Sequence, residues 1–204
     1  DDTVSVIKES GVGSLRLLVE KDEGVYDALN KGIQMASGDL IGLLHSDDIF
    51  YDHSVLSRVA EKAAKERCMA IYGDLLYVSK SNPNKIVRNW KSEEFNRDNF
   101  LFGWMMPHPS LYIKKEVYME MGLYDKNYKI SGDYELMLRY FWKGSINISY
   151  LPYPLMKMKT GGRSNKISNT MIKIKEDTLA MKSNGLRVFP TILLKSLRKI
   201  SQFF

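Results

Sequence analysis

Residues 20–48 constrain the fold of this 204-residue chain more than any other stretch. They read Glu20-Lys21-Asp22-Glu23-Gly24-Val25-Tyr26-Asp27-Ala28-Leu29-Asn30-Lys31-Gly32, then Ala36-Ser37-Gly38-Asp39, then an apolar run ending in His45-Ser46-Asp47-Asp48. Tyr26, Leu29, Ile33 and Met35 recur near the helical period, which predicts a helix over 26–36 that Gly38 stops. Leu40 to Leu44 is continuously apolar, the pattern of a strand buried on both faces. Leu15 to Val19 reads as an earlier short strand. Strand, helix and strand at this spacing predict a βαβ unit, hence an α/β fold with a mostly parallel sheet flanked by helices. In open α/β sheets ligands bind at the strand tips, and here the tip delivers two adjacent carboxylates.

The remaining chain continues in the same style. Helices are expected over Thr3–Glu9, Tyr51–Arg67, Phe95–Phe102, Lys115–Met121, Asp133–Trp142 and Asn165–Ser183. Met69–Tyr72 and Leu111–Ile113 read as strands, and 146–158 as extended chain. Leu75–Val78 and Ile86–Trp90 flank Ser81-Asn82-Pro83-Asn84, a turn cluster, and predict a small antiparallel hairpin. The organisation expected is one α/β domain over 1–183 and a basic amphipathic tail over 184–204.

Charge is distributed unevenly. Residues 136–175 hold eight Lys or Arg and no acid, although acids outnumber bases before them and the net charge is only +6. A basic half beside an acidic half points to an anionic ligand or surface. Nucleic acid is one candidate, but the chain carries no basic recognition helix or nucleic-acid motif, and a phosphorylated small molecule or an anionic membrane fits as well. A single cysteine, Cys68, excludes an internal disulfide framework, is expected to be a packing residue, and agrees with a reducing, cytoplasmic setting.

Asp47 and Asp48 have two readings. Acids ahead of a helix can satisfy free N–H groups. A pair of hard oxygen ligands after a buried strand can instead hold a divalent cation, Mn²⁺ or Mg²⁺, against a diphosphate. His45 is either a further ligand or a packing residue.

The run from Glu20 to Asp48 resembles the family 2 glycosyltransferases of GT-A fold, through Asp22, Gly24, Tyr26, Asp27, Ala28, Asn30, Gly32, Ala36, Gly38, Asp47 and Asp48. It departs at His45, where relatives commonly carry Asp or Asn. Met106-Pro107-His108-Pro109-Ser110 and Ser131-Gly132-Asp133-Tyr134-Glu135 resemble further motifs of the same family, in the same order. The resemblance implies donor contacts from Asp22, Gly24, Asn30 and Asp47, metal binding by Asp47 and Asp48, and Asp133 as catalytic base. It also implies that a strand-helix-strand segment ahead of Asp1 is missing here. A chain without it would be inactive or would assemble with another chain.

Each carried-over residue has a plainer reading beside it. Asp133 could be an ordinary acid in the first turn of a helix, with Glu135 as its rival for the base. Helical geometry turns Glu135 about 200° away from Asp133, so the two cannot face one cleft. His108, fixed between two prolines, suits either acceptor contact or a structural hydrogen bond. Arg163, in Lys159-Thr160-Gly161-Gly162-Arg163-Ser164, suits either the donor diphosphate or an exposed loop. Tyr26 reads as core and Asp27 as a solvent-facing acid. The tail from Leu186 to Phe204 suits either a membrane surface, the inner face of the plasma membrane on this reading, or packing on the domain.

The expectation is metal-assisted, inverting transfer of a sugar from a nucleotide-diphospho-sugar, foremost a UDP-sugar, to a saccharide or lipid-linked hydroxyl in cell-surface polysaccharide synthesis. A noncatalytic sugar-nucleotide-binding remnant and a metal-dependent nucleotidyltransferase are the rivals. Asp133→Asn separates the first, and acceptor-dependent release of nucleoside diphosphate separates the second.

Overall fold

A computed structural model describes residues 2–161 and 169–198. Helices α1 (Thr3–Glu9) and α2 (Val25–Met35) precede strands β1 (Leu40–Gly42) and β2 (Asp48–Phe50). Helix α3 (Val55–Glu66), strands β3 (Ala70–Val78), β4 (Ile86–Trp90) and β5 (Leu111–Lys114), and helices α4 (Lys115–Met121) and α5 (Gly132–Met137) follow. A π-helical turn, Leu138–Lys143, extends α5, and β6 (Ile148–Lys159), α6 (Thr170–Ser183) and α7 (Thr191–Arg198) complete the described chain.

The six strands form one sheet in the order β1-β5-β3-β6-β2, with β4 paired to β3 outside that path. The α/β class stands as expected, but the sheet is mixed rather than mostly parallel. Of its pairings β3 with β6 is parallel, and the others are antiparallel. The misreading begins at Leu15–Val19, which belongs to no strand or helix. Leu15, Leu17, Leu18 and Val19 are 40–67% exposed. With no described strand beside that segment, β1 pairs with β5 alone, antiparallel, and no βαβ unit closes. The hairpin is present as expected, with Leu75 opposite Trp90 and Tyr77 opposite Arg88. Cys68 is buried.

Aromatic side chains dominate the main core, where Tyr72, Tyr118, Tyr134, Tyr140, Phe100 and Phe141 are almost fully enclosed. Buried phenols need hydrogen-bond partners. Tyr72 donates to the Glu93 carbonyl and Tyr140 to that of Gly122.

The described part of the tail joins this core. Leu186 is buried in it, and Val188 and Ile192 pack against it. Thr191 Oγ1 donates to the Leu101 carbonyl at 2.9 Å, and Arg198 Nε to that of Phe102 at 3.1 Å. Phe189, Leu193 and Leu197 stay exposed. Gly103 makes the docking close: its φ is +74°, and an added Cβ would stand 2.2 Å from the Lys195 backbone nitrogen. We expect Gly103→Ala to destabilise the protein by about 2–4 kcal/mol through overpacking and left-handed strain. Thermal unfolding checks this, and an unchanged melting temperature would refute the docking.

Candidate active site

β1 ends at Gly42, and the chain turns through 43–47 before β2 begins at Asp48. The Asp48 N–H donates to the His45 carbonyl at 2.9 Å, closing that turn. Antiparallel pairing sets Asp48 opposite Met158 of β6, so the acidic turn and the end of β6 share one rim. A cleft of about 370 Å³ lies there, lined among others by Tyr26, His45, Asp47, Asp48, Lys129 and Lys159. Lys80 also reaches this cleft, giving it cations opposite the acids.

Asp48 is 7% exposed, and burial raises its carboxyl pKa, with His45 opposing the rise and Asp47 adding to it. Its Oδ2 is enclosed and has no hydrogen-bond partner. An orphaned carboxylate oxygen is costly unless a cation meets it. The unpartnered Asp48 Oδ2 beside Asp47 is the feature that would fit a divalent ion. Among the described residues no three His, Cys, Asp or Glu side chains gather as a metal-binding group.

Asp133 follows the cleft-lining Lys129 and Ile130 by a few residues in the chain. Its N–H lies 3.3 Å from the Tyr26 hydroxyl, which itself lines the cleft. That hydroxyl also accepts from Gly132 N at 2.9 Å and donates to the Ile130 carbonyl at 2.7 Å. Gly132 is required for this contact, since a Cβ there would stand 2.8 Å from the Tyr26 ring. Asp133 Oδ1 accepts from Tyr134 N at 2.8 Å. Burial raises the pKa of the Tyr77 phenol, Arg88 opposes, and Asp48 and Asp133 each add to the rise. The loop that leads into Asp133 thus borders the cleft of the acidic turn through Lys129 and Ile130. Glu135 points elsewhere, paired with Arg139 at 3.0 Å, while Arg139 binds the carbonyls of Met121, Gly122 and Leu123.

His108 is 8% exposed, with Nε2 2.7 Å from the Tyr124 hydroxyl and its ring 6.3 Å from that of His45. Burial lowers its pKa, Asp133 opposes that fall, and His45 adds to it. The histidine therefore stands buried beside Tyr124, with one ring nitrogen already engaged.

The other expected donor contacts are placed differently. Gly24 caps α2 with φ 142°, immediately before Val25 of the cleft lining. Asn30 spends both ends of its carboxamide on the Tyr124 main chain, at 2.8 and 2.9 Å, so its visible work is to clasp that loop. Asp22 pairs with Lys31 at 2.9 Å and faces a separate hollow of about 510 Å³. Asp27 is not solvent-facing: it is 7% exposed between Lys31 and Lys126, and hydrogen bonding from Lys31 brings its pKa down to about 2. Arg163 lies outside the described residues.

An α/β domain with a mixed sheet and carboxylates at this rim is a GT-A fold. The chain superposes on S. aureus TarS in complex with UDP-GlcNAc with a TM-score of 0.67 at 12% identity, covering 90% of this chain and 53% of that one. The TarS complex with UDP gives 0.63 at 12% identity, over 97% and 57%. The chain belongs to glycosyl transferase family 2, whose profile matches residues 1–119. A "PGL/p-HBAD biosynthesis glycosyltransferase" of Mycobacterium bovis (strain BCG / Pasteur 1173P2) is 28% identical over 156 residues, 74% of this chain. An uncharacterized glycosyltransferase of Mycobacterium tuberculosis (strain CDC 1551 / Oshkosh) is 29% identical over 140 residues, 68% of this chain. The chain spans 58% and 52% of the length of these two relatives.

Proposed function

We propose that the protein transfers a sugar from a nucleotide-diphospho-sugar to an acceptor hydroxyl, with inversion at C1, in the synthesis of a cell-surface glycan. One observation carries this reading: Asp47 and Asp48 share a cleft with the loop that presents Asp133. Asp47 and Asp48 would hold a divalent ion, which when bound supplies charge neutralisation for the departing diphosphate. Lys80 and Lys159 favour an anionic leaving group at the same rim. Asp133 takes the acceptor proton as the oxygen attacks C1 from the face opposite the nucleotide. His108, held by Tyr124, is proposed for acceptor contact. Asp22, Gly24, Asn30 and Arg163 remain proposals for the donor, with Asn30 acting through the Tyr124 loop.

A UDP-sugar is the first donor to test, because TarS is seen with UDP-GlcNAc and UDP. A saccharide or lipid-linked acceptor accords with the relatives' names. No described helix is long and apolar enough to cross a membrane. Peripheral lipid contact is proposed through Phe189, Leu193 and Leu197, which stay exposed in a tail with no acid after Asp177, and a cytoplasmic setting follows from the donor. The test is a melting screen of UDP-sugars on the full-length protein, with and without Mn²⁺. A donor at a hundred times its Kd stabilises by about 2.7 kcal/mol. A clear upward shift that needs Mn²⁺ is expected, and no shift with any nucleotide sugar would overturn the reading.

A further inference from the structure

Glu176 of α6 lies far along the chain from every motif described above, yet its carboxylate takes three consecutive main-chain donors ahead of Asp133. Oε1 accepts from Lys129 N at 2.8 Å, and Oε2 from Ile130 N at 2.9 Å and Ser131 N at 2.8 Å. Charge-assisted hydrogen bonds of this kind are short and strong. The Tyr26 hydroxyl grips the same loop through the Ile130 carbonyl and Gly132 N. Lys129 and Ile130 in turn line the cleft that holds Asp47 and Asp48.

The base of this clamp is itself anchored. Asp177, the next residue of α6, pairs with Lys195 of α7 at 2.9 Å, and the Lys195 ammonium sits 3.0 Å from the centre of the Tyr134 ring. Both Asp177 and Lys195 are 5% exposed. Neighbouring carboxylates on one helix therefore tie α7 and the 129–131 loop to the two ends of the Asp133 turn.

We infer that Glu176 is a positioning residue for the transfer reaction, holding the 129–131 main chain so that Asp133 meets the acceptor at a set place. This rests on Asp133 being the base. A shift of about 1 Å in a reacting group can cost about 10²-fold in rate. Glu176→Ala should therefore lower kcat by about that factor. Affinity for UDP with Mn²⁺ should stay within about twofold, since the acidic turn is untouched. Glu176→Gln keeps one acceptor oxygen without the charge and should fall between the two.

The experiment measures kcat and KM in the full-length protein, with the UDP-sugar selected by melting, for both Glu176 variants and for Asp133→Asn. Amide hydrogen exchange at 129–131 is followed in parallel. Loss confined to kcat, with faster exchange at those three amides and an unchanged UDP affinity, supports the assignment. Wild-type kcat in Glu176→Ala beside an inactive Asp133→Asn overturns it. Should Glu176→Ala fail to fold, Glu176→Gln decides by the same criteria. Full activity in Asp133→Asn would instead remove the base assignment, whatever Glu176 does.

Discussion

Asp133→Asn in the full-length protein is expected to lower sugar transfer by about 10³-fold, within the range general-base catalysis supplies. Its affinity for UDP with Mn²⁺ should change by less than about twofold, because the substitution leaves Asp47 and Asp48 untouched. The carboxamide oxygen can still accept from Tyr134 N, as Asp133 Oδ1 does at 2.8 Å. The melting temperature should therefore hold, separating lost chemistry from lost structure. Steady-state transfer with calorimetric UDP titration makes the measurement. Transfer near the wild-type rate would send the search for a base elsewhere, and Glu135 would be a poor candidate because Arg139 occupies it.

Asp48→Asn should act with opposite signs on binding and on stability. Asp48 Oδ2 is enclosed without a partner, and desolvation raises the carboxyl pKa. An unpaired buried carboxylate is destabilising in the protein without its ion. Replacing it by the neutral amide should leave the metal-free melting temperature equal or higher. The Mn²⁺-dependent shift given by UDP should disappear, and transfer should fall by about 10²-fold or more, a few kcal/mol of charge stabilisation. Chelation of the wild-type protein should reproduce the loss, and added Mn²⁺ should reverse it. Activity that survives both chelation and Asp48→Asn would remove the metal from the proposal.

The candidate carboxylates could be picked out from the sequence because their signals are local. Asp47 and Asp48 follow an apolar run directly, and Gly132-Asp133 opens a helix whose period turns Glu135 away, as the Glu135–Arg139 pair now displays. The hairpin was legible from its turn residues. Leu15–Val19 misled because an apolar run signals willingness to pair, while pairing needs a neighbour that no local pattern can supply. Asp27 misled because, besides Lys31 one turn on in the same helix, it is enclosed by Lys126 from a distant segment that no local pattern announces. Glu176 gave no signal at all. It sat in a polar helix among other charges, and its partners are 45 to 47 residues away.

Residue type and short-range order were enough to set the helices, the hairpin, the α/β class and the carboxylates on which the chemistry would turn, since capping, periodicity and turn propensity act over a few residues. Long-range packing alone chose the strand directions, brought Tyr26 under Gly132, closed α7 over the Asp133 helix and set Glu176 against the loop. Those contacts join segments far apart in the chain, and their free energy comes from burial and hydrogen bonding that exist only once the whole domain has formed.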